Sequence, residues 1–408
     1  MKAMENILEQ IKITGRKPAE AGRELEPFTL EAAEKVRAFH GSFPQYGVTE
    51  LHQLPHLAAA LKVKNIYVKD ESTRFGLNAF KVLGGSYAIA CELAKRFGLG
   101  GEPDYKTLLH EAMKHKDERI TFVTATDGNH GRGVAWTAAH LGCRSVVFMP
   151  KGTAAERLEN IRKLGAEASI TELNYDDAVR HARSCGEKYG WTLVQDTSWE
   201  GYEEIPLHIM QGYMTMACEA VLQLEETKPT HVFLQAGVGS MAGAAAAFLK
   251  NYYGARCPQI IIVEPDKADC LYKTAAADDG RLHFAQGPLD SIMAGLCCGE
   301  PCSLGWEILK RHASHFISMP DWVAACGMRI LAAPLPGDGR IVSGESGAAG
   351  FGLAAAALRL PELEPLKRRL GLGEDSVILC FSTEGATDRA NYRRILWDGA
   401  WPLPDAYK

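Results

Sequence analysis

The sequence lacks the runs that would commit it to a membrane or to a polyanion. No stretch reaches the roughly 18 apolar residues that a membrane span needs, and Lys and Arg nowhere gather into an extended block. With a formal net charge of −5, nucleic acid and anionic membrane surfaces are excluded as main partners. A small molecule remains. Met1 to Glu26 is mixed polar and charged without an apolar core, so no secretory signal is read there and a cytoplasmic location is expected.

Paired cysteine spacing is also missing. Eleven cysteines are scattered along the chain, and the one cluster, Cys297-Cys298 followed by Cys302, has no second C-x-x-C or H-x-x-x-H element to complete a tetrahedral site. No metal is expected. Most cysteines read as packed thiols, with a regulatory disulfide involving Cys270 left open.

What is present is ordinary globular composition: 408 residues, 46% hydrophobic and 23% charged, long enough for two or more cores. Short β-branched runs recur between helical stretches, at Asn65–Lys69, Thr121–Ala125, Arg144–Met149, Thr192–Gln195, His231–Gln235, Gln259–Glu264 and Ser376–Ser382. Strands alternating with helices predict an α/β fold with mainly parallel sheet. Runs such as Ile260-Ile261-Ile262-Val263 are continuously apolar, which marks strands buried on both faces. Thr121–Pro150 and His231–Pro265 repeat one order of strand, glycine loop, helix and strand, which predicts two Rossmann-like lobes. Gly98–Asp117 is polar and glycine-rich at its start, and reads as a surface connection or insertion.

Three short segments carry chemistry. Lys81 sits between apolar Phe80 and Val82, just before Gly84-Gly85 and a helical pattern over Ser86–Phe97. A lone lysine is usually a solvated charge, yet one flanked this way points into a site and can join an aldehyde as a Schiff base. Gly237-Val238-Gly239-Ser240-Met241 joins a buried strand to an alanine-rich helix, a turn whose backbone N–H groups bind phosphate. Thr126-Asp127-Gly128-Asn129-His130-Gly131 is a second glycine turn. A dinucleotide site competes, because Glu264 follows Gly237, Gly239 and Gly243 where a ribose-binding acid could stand; the spacing is GxGxxxG, and that reading leaves Lys81 and Asn129 unexplained.

Together, Ala79-Phe80-Lys81, Asp127-Gly128-Asn129-His130-Gly131 and Gly237-Val238-Gly239-Ser240 resemble the lysine, asparagine and phosphate loops of the fold type II (tryptophan-synthase-like) pyridoxal phosphate enzymes. The likeness runs from about Asn65 to Asp388. Lys69-Asp70-Glu71-Ser72, Arg74-Phe75-Gly76-Leu77-Asn78-Ala79-Phe80-Lys81 and Thr126 to Gly133 are similar, within that superfamily, to the diaminopropionate ammonia-lyase family. Threonine and serine dehydratases, the enzymatic alternative, usually carry serines where Ala79 and Asp127 stand here.

The resemblance implies pyridoxal 5′-phosphate bound covalently to Lys81 with Phe80 beside it. Asn129 would bond the ring 3′ oxygen, Gly237, Val238, Gly239, Ser240 and Met241 the phosphate, and Ser382 or Thr383 would face the pyridine nitrogen. A neutral hydroxyl at that nitrogen weakens carbanion storage on the ring and favours prompt elimination. Glu345, in Ser343-Gly344-Glu345-Ser346-Gly347, would be a support beneath the cofactor or a helix-start acid. The implied reaction removes both amines of 2,3-diaminopropionate, D or L, giving pyruvate and two ammonia. Two lobes are implied, a large one from 1–85 with 200–408 and a small one over 86–199, with closure on substrate and a homodimer.

The β-amine of such a substrate calls for an anion, and Asp127 and Asp196 are the candidates, each otherwise a helix cap or loop acid. Two unit charges about 4 Å apart at an effective dielectric of about 20 attract by roughly 4 kcal/mol. Half of that favours the diamine over serine by a factor of about 30. Asp127 is further implied as the base for the enantiomer that Lys81 does not serve, and His130 reads as a core or loop histidine. From other classes, a nicotinamide dehydrogenase and a non-catalytic pyridoxal phosphate carrier stay open.

Overall fold

The computed structural model describes residues 7–100, 104–126 and 128–404. Among these, eleven strands form two sheets: β1 (Lys12–Gly15), β2 (Leu51–Gln53), β3 (Asn65–Asp70), β4 (Thr121–Ala125), β5 (Arg144–Met149), β6 (Glu167–Ile170), β7 (Thr192–Leu193), β8 (His231–Gln235), β9 (Gln259–Pro265), β10 (His315–Met319) and β11 (Val377–Ser382). The larger sheet runs β1-β10-β9-β8-β11-β3-β2, parallel in its centre with antiparallel edges. The smaller sheet runs β6-β5-β4-β7 and is wholly parallel.

The sequence echo is two strand–helix–strand units, one per sheet: β4, the Asn129–His140 helix and β5, then β8, the Ser240–Tyr253 helix and β9. The continuous apolar runs divide residue by residue between two cores. Ile260 and Ile262 of β9 pack on one face of the large sheet, Ile261 and Val263 on the other. β11 does the same with Leu379 and Phe381 against Ile378 and Cys380. Each such buried side chain is worth about 1.5–3 kcal/mol, which is why these strands carry no polar residue until their ends.

Parallel register delivers those ends to one edge. Ser382 of β11 pairs with Asp70 of β3, and Gln235 of β8 with Val263 of β9, so the loops leaving β3, β8 and β11 emerge side by side. Ligand sites of open parallel sheets form there. The loop after β3 leads to Lys81 and rests on fully buried charges: Lys69 Nζ donates to Glu219 Oε2 at 2.7 Å, and Arg74 bonds both Glu71 and Glu219. Phe75, inside this loop, holds the left-handed φ of 50° that a bulky side chain avoids.

Helices meet at glycines around Lys81. A Cβ on Gly212, midway along the Glu204–Leu224 helix, would collide with the Leu83 carbonyl. One on Gly84 would lie 2.6 Å from Tyr213, and one on Gly133 2.8 Å from the Val82 Cα. The helix that follows Lys81, Val82–Arg96, is therefore clamped by backbone contact on two sides.

Some expectations need correction. Gly98–Asp117 is not a bare connection: Tyr105–Lys114 is a helix, capped by Asp104, whose carboxylate accepts from Thr107 N at 3.0 Å, and it buries Leu108 and Ala112. The helix expected from Ser86 starts at Val82. β7 ends at Leu193 because Gln195 turns its N–H to the Tyr202 hydroxyl at 2.9 Å. β1, β2, β6 and β10 have no counterpart among the expected strands. Among the described residues no helix is long and apolar enough to cross a membrane.

Candidate active site

Lys81 immediately precedes the Val82–Arg96 helix. Its loop is stitched to the end of β11, with Phe80 N donating to the Thr383 carbonyl at 3.1 Å, Gly385 N to the Asn78 carbonyl at 3.0 Å, and Ala79 bridging Glu384. The Phe80 ring stacks obliquely on Tyr213 at 4.8 Å. Lys81 Nζ forms an ion pair with Asp196 Oδ2, and the lysine side chain is 19% exposed while that of Asp196 is 3%. Burial alone would raise the Asp196 carboxyl; the Lys81 and His130 charges and the Lys81 hydrogen bond outweigh it and hold the group down at about 2. His130 is a buried support, with Nε2 bonded to the Val194 carbonyl at 2.8 Å and Nδ1 4.0 Å from Asp196.

The glycine turn after β8 faces this pair. Gly239 takes φ 98°, open to glycine, and ends the turn where the 14-residue Ser240–Tyr253 helix begins. The first N–H groups of any helix have no intrahelical acceptor and sit at its positive end. A Cβ on Gly237 would come within 3.2 Å of Cys298 Sγ and the Leu296 Cα, so any larger residue there would have to push the cleft wall back. Ser240 uses its hydroxyl on the Asp196 carbonyl at 2.6 Å, tying the turn to the aspartate loop.

At the far wall Thr383 lines the cleft and its Oγ1 accepts from Gln235 Nε2 at 2.9 Å, whereas Ser382 bonds Ser343 at 2.8 Å and is not among the lining residues. Asn129, at the start of its helix, donates from Nδ2 to Glu384 Oε2 at 2.5 Å. Phe80, Lys81, Asn129, Asp196, the stretch Gln235–Ala242 and Thr383 thus share one cleft. The donor set fits pyridoxal phosphate: an amine for its aldehyde, a helix start for its phosphate, an amide and a hydroxyl for its ring.

Glu345 lies elsewhere. Its carboxylate accepts from Asn391 Nδ2 at 2.7 Å and faces a neighbouring, larger cleft; burial, with Glu384 nearby, raises it to about 7. Its neighbour Ser346 lines the Lys81 cleft instead. Asp127 lies outside the described residues. Sequence reasoning missed Gln235, Cys298, Ser346 and Glu384; only Gln235 left a signal, as the polar end of an apolar strand. Among the described residues, no disulfide joins Cys270, Cys297, Cys298 or Cys302, and Cys298 lies in the cleft wall. Glu264 cannot serve a ribose: it is fully buried, and its carboxylate accepts from Leu271 N at 2.8 Å and Tyr272 N at 2.7 Å, starting the Cys270–Ala277 helix.

Comparison with known proteins agrees with this geometry. Residues 43–377 match the family described as pyridoxal-phosphate dependent enzyme. Diaminopropionate ammonia-lyase of Escherichia coli K12 is 50% identical over 375 residues, 91% of this chain and 93% of that protein. Crystal structures of the Escherichia coli enzyme superpose with a TM-score of 0.88 at 47% identity, covering 96% of this chain and 98% of theirs, both in complex with an aminoacrylate-PLP azomethine reaction intermediate and in complex with D-serine. With its lysine cleft, its family match and half of 375 aligned residues identical to a relative of nearly equal length, the chain belongs to the pyridoxal-phosphate dependent enzymes and, within them, to the diaminopropionate ammonia-lyase family.

Proposed function

We propose that this chain is a lyase that eliminates ammonia from D- and L-2,3-diaminopropionate, after which one water hydrolyses the product to pyruvate and a second ammonia. The observation that carries it is the Lys81–Asp196 ion pair in the cleft that also holds the glycine helix start, in a chain so similar to enzymes of that name. Pyridoxal phosphate, when bound, supplies an aldehyde and an electron-accepting ring.

Lys81 holds that group covalently and takes the Cα proton of one enantiomer. Gly237–Met241 bind the phosphate, Asn129 the ring oxygen, and Thr383, rather than Ser382, the ring nitrogen. Asp196 orients Lys81 and offers an anion to the β-ammonium group. Asp127 is read by resemblance as the base for the other enantiomer; Asp127→Asn should lose D-substrate turnover and keep L, and intact D turnover would overturn that role.

The lobes 1–85 with 200–408 and 86–199 are taken to close on substrate, and the protein to work as a cytoplasmic homodimer. The test is pyruvate formation from D- and L-2,3-diaminopropionate beside L-serine and L-threonine, with Lys81→Ala as blank. Turnover of both diamines supports the reading; turnover of the hydroxy amino acids alone would make the chain a dehydratase.

A further inference from the structure

Glu384 is a buried carboxylate that sequence reasoning passed over and that the reaction does not call for. Its two oxygens receive three donors: Asn129 Nδ2 at 2.5 Å and Thr387 Oγ1 at 3.2 Å on Oε2, and the Ser346 N–H at 3.1 Å on Oε1. Its backbone is fixed as well, bridging Ala79 and accepting from Gly344 N at 2.8 Å. A Cβ on Gly347 would sit 2.7 Å from its carbonyl oxygen, so the chain beneath it is packed backbone to backbone. Glu384 is thus rigid, and it belongs to the large-sheet side of the cleft while Asn129 belongs to the small-sheet side.

An asparagine amide has two faces related by a half-turn, one donating and one accepting. Beside a rigid acceptor only the donating face is favourable, so Glu384 removes the ambiguity. We propose that Glu384 is a positioning residue that locks the Asn129 amide with its nitrogen toward the cleft, leaving the second N–H to meet the ring oxygen of pyridoxal phosphate. Without it, the amide could turn and present Oδ1, an acceptor facing an oxyanion. The inference rests on the cofactor reading of the cleft. It assigns the asparagine's orientation to a carboxylate from the opposite lobe, so ring recognition completes only when the lobes meet.

The test is a double-mutant cycle on Glu384→Gln and Asn129→Ala, read as the cofactor dissociation constant by equilibrium dialysis and as the pH midpoint of the visible absorbance band of the loaded protein. Glutamine keeps the shape but cannot accept from Asn129 and Ser346 together. Glu384→Gln should weaken cofactor retention about tenfold, the scale of one charge-assisted hydrogen bond, and move the band's midpoint. Both effects should vanish in the Asn129→Ala background. Equal effects in both backgrounds, or none in either, overturn the proposal. If Glu384→Gln does not fold, Asn129→Asp sets carboxylate against carboxylate; retention relative to wild type should then be weakest at pH 8 and recover as pH falls, and a pH-independent ratio overturns the idea. Failure of the wild type to form a Lys81-dependent band would instead refute the cofactor reading.

Discussion

Asp196 serves through two groups. Its carboxylate pairs with Lys81 and its backbone carbonyl takes the Ser240 hydroxyl, so one residue aligns the lysine with the glycine turn. Asp196→Asn keeps the shape and removes the charge; elimination should fall roughly 100-fold, within the range for disturbing one acid–base group. Stability reports the same contact. A carboxyl held at about 2 instead of 3.8 stabilises the fold above its unfolded value, and that contribution is lost as pH falls through 3.8 toward 2. In cofactor-free protein the wild type should therefore exceed Asp196→Asn at pH 6 by about 2 kcal/mol, with the gap closing by pH 2 in denaturant titrations. A constant gap would mean the charge is not what holds the pair. At this scale the sequence shows its reactive residues only where composition is unusual. Lys81 between apolar neighbours and the glycine turns stood out, whereas Glu384 in Ser-Thr-Glu-Gly reads as any loop acid until the fold sets it opposite Asn129.

Elements behave likewise, because what sequence patterning reveals is burial rather than pairing. β3, β4, β5, β8, β9 and β11 were legible as β-branched apolar runs, since both faces are covered. β2 and β6 were not, being short edge strands with partly exposed side chains, and β10 hides because His315 at its start and Ser318 near its end interrupt the apolar run. In the sequence Gly84-Gly85 stood only as a pair ahead of the expected helix. The structure gives Gly84 and Gly212 a task, the close crossing of the Val82–Arg96 and Glu204–Leu224 helices. Gly212→Ala must push the helices apart and should cost about 1–3 kcal/mol while displacing Lys81, so thermal stability and pyruvate formation should fall together. Gly373→Ala, where nothing lies within 4 Å, is the matching control and should leave activity untouched. The buried charges beneath the Lys81 loop make a second case. Glu219→Gln leaves Lys69 and Arg74 short of an anion and should destabilise by about 3–5 kcal/mol, measurable as a lower denaturation midpoint.

For the whole molecule, the proposed closure of the two sheets over substrate turns on one seam. The Tyr175–Tyr189 helix, which packs on β4 and β5, starts against the loop around Gly299 and Glu300. Arg180 Nη1 reaches Glu300 Oε1 at 3.2 Å, and Asp176 presses close enough to Gly299 that a Cβ there would lie 3.0 Å from Oδ2. From this same helix the Tyr175 hydroxyl reaches Asp196 Oδ1 at 3.5 Å, so the seam touches the residue that pairs with Lys81. Burial, then the Glu300 and Asp177 charges, raise the Asp176 carboxyl to about 6 against the pull of Arg180. A raised carboxyl is neutral in the closed seam at low pH and ionises there at a cost, so the seam is tightest below pH 4 and weakens as pH climbs through 6. Substrate-induced hydrogen-exchange protection of the Tyr175–Tyr189 helix should accordingly be stronger at pH 5.5 than at pH 8. Asp176→Asn should flatten that difference by raising protection at pH 8, because the amide fills the same space without repelling Glu300. An unchanged pH slope in the variant would assign the titration to groups other than Asp176.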